Sequence, residues 1–165
     1  MEKIVNHLEQ QEQGKVLLEA MLETILIFGE SKEEKTIIAI VLTGIAEQLG
    51  NVEIKKNLEG LLDPHLSHLS EDKNIKKLTE IIVHYDYNGS NDYELYLEMK
   101  NVVADVLDIL GREKTQMILA AISYFLGCIC EKIKEVDGDI VLTTGSLSFN
   151  LLQLMIEIPK VSTFL

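Results

Sequence analysis

A stretch without a single charge, TQMILAAISYFLGCIC from Thr115 to Cys130, lies between Lys114 and Glu131 in a chain that is otherwise a quarter charged. A helix apolar on every side has to be wrapped by other elements, so this run predicts the buried central helix of a helical fold. It falls short of the roughly 20 apolar residues that a membrane span requires. The apolar run between Lys35 and Glu47 is shorter still. Both therefore predict core helices, with no membrane span.

Around that run, apolar residues recur at helical spacing along almost the whole chain. Val16, Ala20 and Ile27 form one stripe, with Glu12, Glu19, Glu23 and Glu30 on the opposite side. Ser31 with Glu34 three residues on has the capping-box pattern and opens a second helix that ends at Gly50. Ile54, Leu58, Leu61 and Leu62 mark a third. Asp63-Pro64 reads as a cap and a first-turn proline, starting a short helix that Ser70 interrupts and recaps. Ile75, Leu78, Ile82 and Tyr85 make the next stripe. Tyr93 to Leu110 makes another, ending at Gly111. The central helix is expected to run on to about Val136, where Asp137-Gly138-Asp139 breaks it. A last apolar helix spans about Leu147 to Ile158, and only Ile140–Thr144 has a strand-like composition, too short and isolated to build a sheet. The prediction is a single all-α domain over residues 1–165. MLETILIFG at 21–29 with EKT at 34–36 is echoed by VADVLDILG at 103–111 with EKT at 113–115. In each case a helix stops at glycine before a more apolar one.

The chain carries 27 acidic and 15 basic residues, a net charge of −12, and Arg112 is its one arginine. Phosphate neutralisation wants clustered Arg and Lys, so nucleic-acid binding is disfavoured. The acidity is spread evenly, as suits a self-repelling soluble surface or a surface complementary to a basic partner. The N-terminal MEKIVNHLEQQEQ lacks a positive segment followed by an apolar core. The two cysteines, Cys128 and Cys130, stand two apart on a helix, where they point to different faces and cannot bridge. Both features predict a cytoplasmic chain.

Candidate chemistry is sparse. Asp63, His65, His68 and Glu71 form D-x-H-x-x-H-x-x-E, and histidines three apart share a helix face. His65 and His68 are thus the weak metal candidates, without the H-E-x-x-H arrangement of a metalloprotease. HYDYNGSNDYELY at 84–96 resembles a calcium loop at Asp86, Asn88, Ser90 and Asp92. An EF-hand counted from Asp86 needs glycine at 91 and glutamate at 97, however, and the chain has Asn91 and Leu97. Tyrosines on an acidic rim suit a protein interface, which nominates Tyr87 and Tyr93; alternatively Tyr85, Tyr93 and Tyr96 cap the core. Ser146 and Ser148 read as helix caps. Phe149, Leu152, Met155 and Phe164 offer more apolar surface than a terminal helix usually buries, and predict a homodimer built on it.

About seven helices in 165 residues, a very apolar central helix, another apolar helix at 36–49 and a lysine-rich, arginine-poor composition give a layout that resembles the non-haem, globin-like sensor domains of Firmicute sporulation and stress regulators. The likeness is one of layout across nearly the whole chain and carries no functional residue over. It implies a globin-like or orthogonal bundle without haem, a fatty-acid-like ligand in the apolar interior, and control of a histidine kinase or another signalling protein. Met117, Ala120, Ala121, Tyr124 and Gly127 alternate bulk with small side chains, a pattern that leaves a ligand cavity between helices or lets helices pack closely. The leading expectation is a non-enzymatic sensory or regulatory domain. Its rivals are an acidic immunity-type or decoy inhibitor of a basic protein and, third, a metal-dependent hydrolase on His65 and His68.

Overall fold

Short polar side chains at the chain reversals set where the helices begin. The computed structural model describes the backbone of residues 1–164 and the side chains of residues 1–158. The chain forms α1 (Glu2–Val5), α2 (Gln13–Phe28), α3 (Lys32–Gln48), α4 (Val52–Glu59), a 3-10 helix (Pro64–Glu71), α5 (Lys73–Val83), α6 (Asp92–Leu110), α7 (Arg112–Glu131) and α8 (Gly138–Phe164), with no strand among the described residues. The Ser31 hydroxyl accepts the N–H of Glu34 at 3.1 Å, and Asp63 accepts that of His65 with Pro64 in the first turn. Both caps stand where the sequence puts them. Asp72, rather than Ser70, opens α5 by accepting the N–H groups of Asn74 and Ile75. Ser70 instead donates to the Ser67 carbonyl within the 3-10 helix.

The strand-like run Ile140–Thr144 belongs to α8, which begins nine residues before the expected Leu147. Asp137 explains the start: its carboxylate accepts the Ile140 N–H at 2.8 Å. Ile140, Thr143, Leu147, Asn150, Leu151, Leu154 and Ile158 then fall on one buried face. That helical spacing, buried against α7, overrides the extended preference of β-branched residues. Ser146 and Ser148 accordingly lie inside a helix and cap nothing.

Two helices share the centre. α7 touches α1, α2, α3, α6 and α8, and Ile118, Leu119, Ala121, Ile122, Phe125, Leu126 and Ile129 are buried along it. It is not wrapped on every side, because Gly127 is exposed and Met117, Ala120 and Tyr124 are half-buried. The deeper helix is α3, buried continuously from Thr36 to Thr43. At Gly44 a Cβ would stand 2.9 Å from the Thr79 Cγ2, so the missing side chain lets α3 and α5 cross closely. The echoed helix pairs α2–α3 and α6–α7 turn differently. Gly111 has φ +85° and Gly29 has φ −88°.

The amino terminus enters the core. Met1 is fully buried, and its α-amino group donates to the Ile82 carbonyl at 3.2 Å. Burial pushes that amine from its ordinary 8.0 down to about 5, against the opposing pull of Glu2 and Asp86. Ile4, Val5 and Leu8 follow it inward, although the sequence places no apolar stripe there.

Candidate protein-contact site

Helix α8 is apolar on both faces but covered on one. Between Asp139 and Glu157 it carries no charged residue. Its inner face packs mainly against α7, while its outer face exposes Val141 58%, Leu142 56%, Phe149 61%, Leu152 52% and Ile156 52%. Single exposed apolar side chains are ordinary on a protein surface, whereas a contiguous stripe marks an interaction site. The exposed apolar residues of α2, Leu22, Leu26 and Ile27, differ in being interspersed with Glu19, Glu23 and Glu30. By length and composition Gly138–Ile158 is also apolar enough to cross a membrane. Its uncharged run is longer than those at 36–46 and 115–130.

Polar bonds fix the inner face in register. Asn150, buried, donates from Nδ2 to the Tyr85 hydroxyl at 2.8 Å. The Ser146 hydroxyl donates to the Asp92 carboxylate at 2.8 Å, which leaves its oxygen to accept from Tyr85 at 2.5 Å. Burial raises the Tyr85 phenol above its ordinary value and keeps it a neutral donor. This relay ties α8 to the end of α5 and the start of α6. Serine and carboxylate are thus in hydrogen-bond contact, which the sequence did not reveal, but the proton order runs from Asn150 to Asp92 without an imidazole base. Beside the relay lies a depression of about 270 Å³ lined by Tyr87, Asp92, Val141, Leu142, Gly145, Ser146 and Phe149.

Several residues nominated from the sequence meet here. Tyr87 and Phe149 line the depression; Leu152 continues the stripe, and Met155 is half-buried at its edge. Tyr93 stands 71% exposed at the start of α6; it does not cap the core, as Tyr85 does. The side chain of Phe164 lies outside the described residues. Val141, Leu142, Gly145 and Ile156 were not nominated, although the missing charges between Asp139 and Glu157 were a legible signal.

The other nominated sets are used differently. Tyr124 packs edge-on against Phe28, with centroids 5.6 Å apart, and donates to the Glu23 carboxylate at 2.8 Å, latching α7 to α2. With Ala121 buried and Gly127 exposed, the set Met117, Ala120, Ala121, Tyr124 and Gly127 is split between core and surface, and the principal depressions among the described residues lie elsewhere. The crevice between α6 and α8, lined by Lys100, Val103, Leu107, Leu154, Glu157 and Ile158 among others, holds about 170 Å³. His65 and His68 are exposed on the 3-10 helix. Their neighbouring carboxylates are engaged, Asp63 as a cap and Glu71 with Lys76 at 3.1 Å. In the tyrosine-rich loop Asn88 accepts from the N–H groups of Ser90 and Asn91, and Asn91 donates to the Asp86 carbonyl, so these groups hold the loop itself. Cys128 and Cys130 are free and half-buried, and burial raises both thiols, away from the thiolate that reactive cysteines need. Comparison with protein-family models, with curated proteins and with solved structures found no match.

Proposed function

We propose that this chain is a non-enzymatic regulatory domain that acts through protein contacts, with the outer face of α8 as its docking surface. The observation that carries the proposal is the charge-free exposed stripe of Leu142, Phe149, Leu152 and Ile156 on a chain of net charge −12. Aromatic anchors beside a pocket and the absence of charge at the centre are what the core of an interface requires. The polar groups near the stripe support the same reading, since Tyr85, Ser146, Asn150 and Asp92 are spent on one another. A fatty-acid ligand is no part of it, because none of Met117, Ala120, Ala121, Tyr124 and Gly127, the residues expected to hold one, lines any of the depressions described above.

Photo-crosslinking in cells tests this. Benzoylphenylalanine placed at Phe149 or Ile156 is expected to yield covalent protein adducts on irradiation. The same group at Glu19 or Lys56, both exposed, is expected to yield none. Absence of adducts from both α8 positions would overturn the proposal.

A further inference from the structure

The outer face of α8 has a spacing that selects its occupant. Gly138, Leu142, Gly145, Phe149, Leu152 and Ile156 follow one another at alternating steps of four and three, the seam of a two-helix coiled coil. The sequence of sizes along this seam is its own complement when reversed. About a centre level with Leu147, Gly138 mirrors Ile156, Leu142 mirrors Leu152 and Gly145 mirrors Phe149. A small residue thus faces a large one at four of the six positions, and leucine faces leucine at the other two. A twofold interface requires that knob and hole lie on the same patch. Here Phe149, 61% exposed, stands at the edge of the depression it lines, one helical turn from Gly145, where an added Cβ would meet nothing within 4 Å.

Resting on the reading of α8 as a docking face, we propose that its occupant is α8 of a second copy of this chain, packed antiparallel, with Phe149 of each copy seated in the Gly145 depression of the other. Charge supports both the partner and the direction. Two chains of net charge −12 approach at lowest cost where neither presents a charge, which is the surface between Asp139 and Glu157. Antiparallel packing sets the neutral Lys100–Glu157 pair, 3.2 Å apart, opposite Asp137 and Asp139 of the second copy, which are themselves held by His7 and Lys3, and it opposes the two helix dipoles. Parallel packing would set those aspartates against their own copies, Phe149 against Phe149 and Gly145 against Gly145, crowding one level and emptying the next.

Engineered disulfides read out the geometry directly. In a chain carrying Cys128→Ser and Cys130→Ser, positions 142 and 152 lie about 15 Å apart along one helix at 1.5 Å per residue, too far to bridge within a copy. Leu142→Cys/Leu152→Cys is expected to form a covalent dimer on mild oxidation, while either single substitution stays monomeric on a non-reducing gel. A second measurement uses the symmetry. Gly145→Phe and Phe149→Gly are each expected to weaken association at least tenfold by sedimentation, and the double swap to restore it. Covalent dimers from the single cysteines would overturn antiparallel packing. A swap that fails to restore association in a folded chain would overturn the knob and hole. A chain monomeric at every concentration, or one gathered instead onto lipid vesicles, would overturn the second copy. Photo-adducts with another protein would in that case still support α8 as a docking face.

Discussion

Ala121→Asp is expected to lower the stability of the chain by about 3–5 kcal/mol at neutral pH, the range for a buried charge without a partner. Ala121 is 2% exposed in the middle of α7, on the helix that touches five others. The aspartate has either to remain ionised without solvent or to take up a proton, and both carry a cost. Domains of this kind are stable by about 5–15 kcal/mol, so the variant stands near the edge of folding, with a melting temperature lower by roughly 10 °C. Gly127→Asp, six residues along on the same helix, is the control. That position is exposed, a Cβ there meets nothing within 4 Å, and little change is expected. Urea denaturation of the two variants measures the contrast. Equal stabilities would contradict the placement of α7 in the core.

The second large effect is a dependence on pH set by the buried α-amino group of Met1. Its pKa is about 5 in the folded chain against an ordinary 8.0, so between these values the unfolded chain binds the proton that the folded chain refuses. Stability therefore rises with pH through this window and falls as pH drops from 8 to 5. Three units at about 1.4 kcal/mol each set an upper value of roughly 4 kcal/mol. The carboxylates of Asp137 and Glu157 are held below their ordinary range, chiefly by the Ile140 N–H and by the Tyr96 hydroxyl. Their contribution is lost only at more acid pH, outside the window. The measurement uses a chain whose four histidines are replaced by Gln, so that the readout belongs to the amine. Urea midpoints at pH 5, 6, 7 and 8 are expected to climb steadily. A flat profile would contradict the burial of the amine.

Local chemistry made much of the fold readable. Ser31, Asp63 and Gly111 stand where the helix boundaries are, because caps and reversals depend on a few neighbouring atoms. Burial depth was less readable, because it depends on partners distant in sequence. The uncharged run of α7 leaves Gly127 at the surface, where a residue without a side chain exposes little apolar area, while α3, bounded by charged turns, lies deeper. The start of α8 was obscured by the β-branched run from Ile140, although Asp137 and the helical spacing of Ile140, Thr143 and Leu147 were both in the sequence. At the candidate site, Phe149 and Leu152 were legible as excess apolar surface. The hole at Gly145 was not, since a glycine becomes a depression only when Tyr87 and Asp92 are folded beside it.

Sedimentation of the wild-type chain beside Phe149→Glu/Leu152→Glu, at matched micromolar concentrations, tests the role of α8 most directly. Both substitutions lie on exposed positions of the stripe, so helix content and melting of the isolated fold serve as the check that only the surface has changed. The wild type is expected to sediment as a dimer and the variant as a folded monomer, since four like charges would be brought into one apolar contact. Identical sedimentation of the two folded chains would contradict α8 as the contact surface.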